Sequence, residues 1–424
     1  MEGGLDQNAG VSESEPTPRA SFRSALTLTV LVGALGYFVD IFDLLLFPIV
    51  RQASLASLGV APEDALRVGE KLLSFQMGGM LVGGLVWGVL GDKKGRKSVL
   101  FGSIALYSLA NLANAFVTSV PEYAAVRFLA GFGLAGELGA AITLVSETIP
   151  KESRAYGTTI VASVGVSGAV VAALIGKYMT WKVAYIVGGL LGLCLLALRI
   201  GVGESGMFDE TKASEVERGS LKMLVNDWQR FTRYLRCILI GMPLWYGIGI
   251  LIVFSPEFGR VLGVQGEVKA AMSIAVCYAG LTIGDFTSGA ISHVLASRKK
   301  AVALFLSFTL AGVLVYANAH GISLRAFYTL CGFLGFAFGY WAVFVTVASE
   351  QFGTNLRATV TTTVPNFVRG SVVPLTMAFE ALRTRIGLVE AALALGLGCI
   401  AIAFLSLWGM EETHGKDLDF VEGL

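Results

Sequence analysis

Ser146-Glu147-(x6)-Arg154-Ala155-(x2)-Thr158-Thr159 returns, ungapped and displaced by 203 residues, as Ser349-Glu350-(x6)-Arg357-Ala358-(x2)-Thr361-Thr362. Each copy sits where one long apolar stretch gives way to the next. Crossing the hydrocarbon of a bilayer takes about 20 apolar residues. Working outward from the two copies, such stretches fall near 24–50, 68–91, 98–118, 121–148, 155–177, 181–202, 234–256, 268–291, 301–318, 324–349, 357–380 and 386–409. Both copies therefore mark the join between the fourth and fifth spans of a set of six. The longest connection, 203–233, separates the sets. The expected fold is an all-α membrane protein of twelve transmembrane helices in two pseudo-symmetric six-helix bundles. A polar tail (1–23) precedes the first bundle (24–202), and a linker (203–233) leads to the second (234–409) and a final tail (410–424). Paired bundles with a site between them at mid-membrane are a transporter architecture.

Composition agrees. Charged residues are 15% of the 424 and apolar ones 54%, against about 25% charged in soluble domains. A soluble multidomain enzyme is excluded. A net charge of +1 offers no basic face to nucleic acid. The cysteines Cys194, Cys237, Cys277, Cys331 and Cys399 are scattered singly, and the three histidines lie far apart. There is no metal spacing and no nucleophile–base set, so no cofactor and no enzyme is expected. The expected partners are a small-molecule substrate and the lipid bilayer, with a functional monomer. Nineteen of the 32 Lys and Arg fall on one side and ten on the other, which places both termini in the cytoplasm. In a bacterium that means the inner membrane.

Four further stretches carry a family resemblance. Gly88-(x2)-Gly91-Asp92-Lys93-Lys94-Gly95-Arg96-Lys97 resembles the cytoplasmic loop signature of the major facilitator superfamily. Arg127-(x3)-Gly131-(x)-Gly133-(x2)-Gly136-Glu137-(x)-Gly139 resembles its fourth-helix motif. Glu204-Ser205 and Glu412-Thr413-His414-Gly415-Lys416 resemble the half-ending motifs of its sugar-porter, phosphate and metabolite–proton symporter branches, and the chain as a whole resembles the metabolite–proton, organic-ion and phosphate symporter branches. The second loop signature is degenerate (Ser292-His293, then Arg298-Lys299-Lys300), and the seventh span lacks the Gln-Leu-Ser pattern of sugar porters. The resemblance implies alternating access and a cytoplasmic gate of Asp92, Arg96, Glu147, Arg154, Glu350 and Arg357, with Glu147 meeting Arg96 or Arg154 and Glu350 meeting Arg357. Exposed ion pairs contribute only about 0–1 kcal/mol each, which suits a lock that opens every cycle.

Charges inside spans are costly and usually functional. Asp40 and Asp43 share a helix face. Asp43 falls ~12 Å below an outer helix end at Arg51, and Arg127 ~9 Å below Pro121, so the two are placed to pair. Related symporters couple protons at such an acid–arginine set. Glu137 lies ~15 Å along the helix from Arg127 and matches an acid implicated in proton or substrate binding in phosphate symporters. The expected proton-coupling set is thus Asp40, Asp43, Arg127 and Glu137. Arg369, between Pro365 and Pro374 with Asn366 one turn away, presents donors suited to a carboxylate or phosphate; its alternative is a bridge to Glu137 or Asp285. Applying the 203-residue displacement brings Trp245, Tyr246, Tyr340 and Trp341 near mid-membrane around Arg369. The N-half is expected to handle the proton and the C-half the substrate. Asp285 fits either the inner gate or a structural pair. The expected function is proton-coupled symport of a small organic anion. The competing readings are a uniporter or exchanger of a neutral or zwitterionic metabolite, and a nutrient sensor that no longer transports.

Overall fold

The computed structural model describes residues 28–94, 96–137, 154–199, 221–415 and 422. Within them the first bundle comprises α1 (Leu28–Ser57), α2 (Ala65–Lys94), α3 (Arg96–Asn114), α4 (Val120–Leu134), α5 (Arg154–Tyr178) and α6 (Trp181–Arg199). The second comprises α7 (Trp228–Tyr246, prolonged by a π-helical turn Gly247–Ile252), α8 (Ala270–Val294), α9 (Arg298–Ala317), α10 (Leu324–Phe338, resuming at Trp341–Glu350), α11 (Thr354–Gly370, resuming at Val372–Ile386) and α12 (Leu388–Trp408). Eight helices among the described residues are long and apolar enough to cross a bilayer. Start signals are local. Ser119, Asp227, Ser297 and Ser323 each accept a backbone N–H from the first turn of α4, α7, α9 and α10, which satisfies a donor that would otherwise be orphaned.

The repeat seen in sequence is also a repeat in packing. In the first bundle Gly79 and Gly83 of α2 lie against the backbone of α4 at Phe128 and Phe132. In the second, Gly280 and Gly284 of α8 lie against the backbone of α10 at Gly332 and Phe336. A Cβ at any of the four would overlap a carbonyl oxygen, so small residues are required for this approach. The bundles meet along α2 with α11 and along α5 with α8, two contacts that an approximate two-fold axis exchanges.

Two features depart from the sequence expectation. α1 does not end near Arg51 but continues to Ser57. Arg51 is fully buried there, because Glu257 accepts from it at 2.7 Å and the Phe254 ring lies 4.7 Å beneath its guanidinium. α10 is broken at Gly339–Tyr340, and Asp285 of α8 accepts from the Ala342 N–H (3.1 Å) at the first turn of the resumed helix. Asp285 therefore makes a capping contact where a discontinuous helix restarts, and among the described residues no ion pair joins it to Arg369.

Candidate functional site

At the centre of the junction between bundles, charged and aromatic side chains come from α1, α7, α10 and α11. Asp40 of α1 accepts from Arg369 Nη2 of α11 at 3.3 Å, and both side chains are almost wholly buried. This cross-bundle pair differs from the sequence expectation, which paired Asp43 with Arg127, named no partner for Asp40, and gave Arg369 either a ligand or Glu137 or Asp285. The pair is incomplete: Asp40 Oδ1, Arg369 Nε and Arg369 Nη1 are buried without hydrogen-bond partners. A buried ion pair contributes little net stability unless its remaining donors and acceptors are also met.

Two rings lie near the guanidinium, Trp245 at 5.7 Å and Trp341 at 6.0 Å, as the displacement argument expected. The other two rings do not. Tyr246 donates to the Ala392 carbonyl of α12 at 2.5 Å and packs on Gly396, while Tyr340 donates to the Ile240 carbonyl of α7 at 3.0 Å. Neighbouring residues on a helix point about 100° apart, so Trp245 and Tyr246 cannot both face the junction. Asn366 bonds through its amide nitrogen to the Ala135 carbonyl of α4 and to Thr362 of its own helix (both 3.0 Å). Only its carbonyl oxygen is left without a partner. Tyr37 and Tyr278 lie within electrostatic range of both Arg369 and Asp40.

The interior of the first bundle holds the rest. Arg127 lies between Phe47 (5.4 Å) and Tyr185 (5.6 Å), and none of its three nitrogens finds a hydrogen-bond acceptor. No ion pair within 4 Å joins it to Asp43, whose carboxylate instead lies against Gly188 of α6 with both oxygens unpartnered. The expected Asp43–Arg127 pair is thus not formed in this conformation. The flanking rings offset part of the cost of the unpaired cation, by about 2 kcal/mol or more when it is desolvated. Glu137 is held through both oxygens by Arg199 at the end of α6, Nη1 to Oε2 at 3.0 Å, with Gly36 of α1 packed on the pair. Its place in the proton set therefore comes with a fixed partner that the sequence did not identify.

At the α1–α2 end, the outer end in the orientation expected from charge, three contacts close the bundles together. They are Arg51–Glu257, Ser74–Thr376 (2.7 Å) and Glu70–Arg383 (3.6 Å). Sequence reasoning missed this set. A signal existed: Arg51 and Glu257 each interrupt an apolar run, as do the six charges singled out. At the opposite end Glu350 meets Arg298 (3.3 Å), where Arg357 was expected. The side chains of Asp92, Arg96, Arg154 and Arg357, and the whole of Glu147, lie outside the described residues.

Comparison with known proteins places this geometry. Residues 20–373 match the family described as Major Facilitator Superfamily. A putative niacin/nicotinamide transporter of Bacillus subtilis is 26% identical, covering 92% of this chain and 96% of that one. A probable 4-methylmuconolactone transporter of Cupriavidus pinatubonensis is also 26% identical, covering 90% of this chain and 89% of that one. The crystal structure of a D-xylose–proton symporter superposes with a TM-score of 0.68 at 15% identity, over 94% of this chain and all of that one. Twelve helices in two related bundles, an ion pair between them at their junction and a family match over most of the length lead to one conclusion: the chain belongs to the Major Facilitator Superfamily and is a multi-pass membrane transporter, not an enzyme.

Proposed function

We propose that the transporter is a proton-coupled symporter of a small organic anion, specifically a carboxylate carried on a flat ring. The observation that carries this reading is Arg369. It is a buried guanidinium between two indole rings, bound by a single contact to an acid of the other bundle. A substrate carboxylate can take that guanidinium through two parallel hydrogen bonds, and the tryptophan faces suit a ring beside it. The substrate then displaces Asp40, which breaks the ion pair joining the bundles and frees them to rock. Asp40, deprived of its cation in a dry interior, accepts the coupling proton. Asp43, beside the loosely held Arg127, forms the second proton station. Loading is thereby electroneutral for a monoanion, and neither proton nor substrate alone satisfies the junction. Nicotinate is the natural first probe, because one relative is named for niacin.

The test is uptake into proteoliposomes. Labelled nicotinate and benzoate are expected to accumulate above equilibrium under an inward proton gradient, and a protonophore is expected to abolish this. Uptake that only equilibrates, whatever the gradient, would replace symport by facilitated passage.

A further inference from the structure

Trp245 carries a feature that stacking on an arginine does not use. Its side chain is only 4% exposed, and its indole N–H has no acceptor. A buried indole N–H ordinarily finds one. Trp87 does: its indole donates to the Phe132 carbonyl at 2.7 Å. The backbone around Trp245 is also irregular. Pro243 lies two residues before it inside α7, and the π-helical turn begins at Gly247, where the Phe338 ring leaves no room for a Cβ. Single π-turns inside helices recur at functional sites.

We infer that Trp245 is a specificity-determining residue, whose indole N–H selects ring carboxylates bearing a second hydrogen-bond acceptor, such as a ring nitrogen or a hydroxyl oxygen. The inference rests on the carboxylate reading above and deepens it. The carboxylate goes to Arg369 along the edge that release of Nη2 by Asp40 completes, beside an Nε or Nη1 already without a partner. The ring lies along the indoles, and the second acceptor takes the Trp245 proton. An unsubstituted ring leaves that donor as unmet as it is in the empty junction, whereas a second acceptor satisfies it, and this difference discriminates between ligands.

Binding of nicotinate, 3-hydroxybenzoate, 4-hydroxybenzoate and benzoate to the purified full-length protein, by calorimetry at one pH, tests this. In the wild type at least one of the first three is expected to bind about tenfold tighter than benzoate. Trp245→Phe keeps an aromatic ring near Arg369 and removes the donor along with part of the indole face. It is expected to bring that ratio to about one, whatever its effect on the benzoate affinity common to all four ligands. A wild type that binds benzoate as tightly as all three acceptor-bearing ligands overturns the inference and leaves the carboxylate reading standing. So does a Trp245→Phe variant that keeps the wild-type ratio. If none of the four binds, the carboxylate reading itself falls and takes the inference with it. The wild-type ratio needs no variant, so a Trp245→Phe protein that fails to fold does not shield the inference.

Discussion

The two bundles share a fold but not an interior. In the first, Asp43, Arg127, Asn111, Asn114 and Gln76 are buried with polar atoms unmet. In the second, hydroxyls are tied to the backbone: Tyr246 to Ala392, Tyr340 to Ile240 and Tyr316 to Leu251 (3.0 Å). An unmet buried polar group costs roughly 1–3 kcal/mol, and among the described residues the first interior carries more of them, although Trp245, Ser255, Ser273 and Arg369 of the second also keep unmet atoms. The lesson is a division of labour. Under the proposed symport, under-satisfied charge sits where protons would come and go, and tied hydroxyls hold rings still. Asp40 and Arg369 are the one described ion pair that joins the two interiors at their centre.

The largest effect that would break this contrast is at Asp43. Asp43→Asn is expected to lower gradient-driven accumulation at least about a hundredfold while leaving counterflow exchange measurable. Full accumulation in the variant would remove the first bundle from proton handling. Next comes Arg199→Ala, which strands Glu137 in the interior. Stranding one partner of a buried pair costs about 3–5 kcal/mol, to be seen as a large fall in melting temperature that Glu137→Leu in the same chain partly restores. A single variant as stable as the parent would show that Glu137 is as loosely held as Asp43.

Smaller effects probe the second bundle. Tyr246→Phe removes one hydroxyl from Ala392 and should cost about 1 kcal/mol, with uptake unchanged. Lost uptake at unchanged stability would return that ring to the substrate path. The smallest effect lies at the rim. Burial disfavours the charged form of Glu412, but donors from Ser297 and from the backbone of His414, Arg298 and Lys299 outweigh it and hold its carboxyl below the usual range. A lowered value means the cap stabilises at pH above the ordinary carboxylate range and is lost as pH falls through the lowered one. Between pH 6 and 8, therefore, Glu412→Gln should differ from the parent by a constant few tenths of a kcal/mol, its exposure weakening the charge. Parity appears only in acid, and melting curves across pH would check it.

How much of this was legible beforehand varies with the distance between partners along the chain. The span lengths, the repeat around Arg154 and Arg357 and the small-residue faces at Gly79 and Gly280 are local patterns, and all could be read directly. That Arg369 sits at mid-membrane followed from counting, and that tryptophans surround it followed from the 203-residue displacement. The partners did not follow. Asp40 and Arg369 are 329 residues apart and Arg51 and Glu257 are 206 apart, and several acids were equally placed by depth. Rotation about each helix axis decides among them, and a span of nearly uniform hydropathy does not encode rotation. For that reason Tyr246 and Tyr340 shared a depth with Trp245 and Trp341 but not a direction.

By itself, then, the sequence determined the class, the twelve crossings, the duplication and which six charges fall within the spans. Apolar length and the cost of charge in hydrocarbon are properties of short segments and survive without a fold. Only the tertiary structure decided which acid answers which arginine. It gave Arg369 to Asp40, Arg199 to Glu137 and Arg51 to Glu257, and left Arg127 between two rings. Those choices depend on helix rotation and on glycines that let backbones touch, which are properties of packed pairs of helices rather than of any one segment.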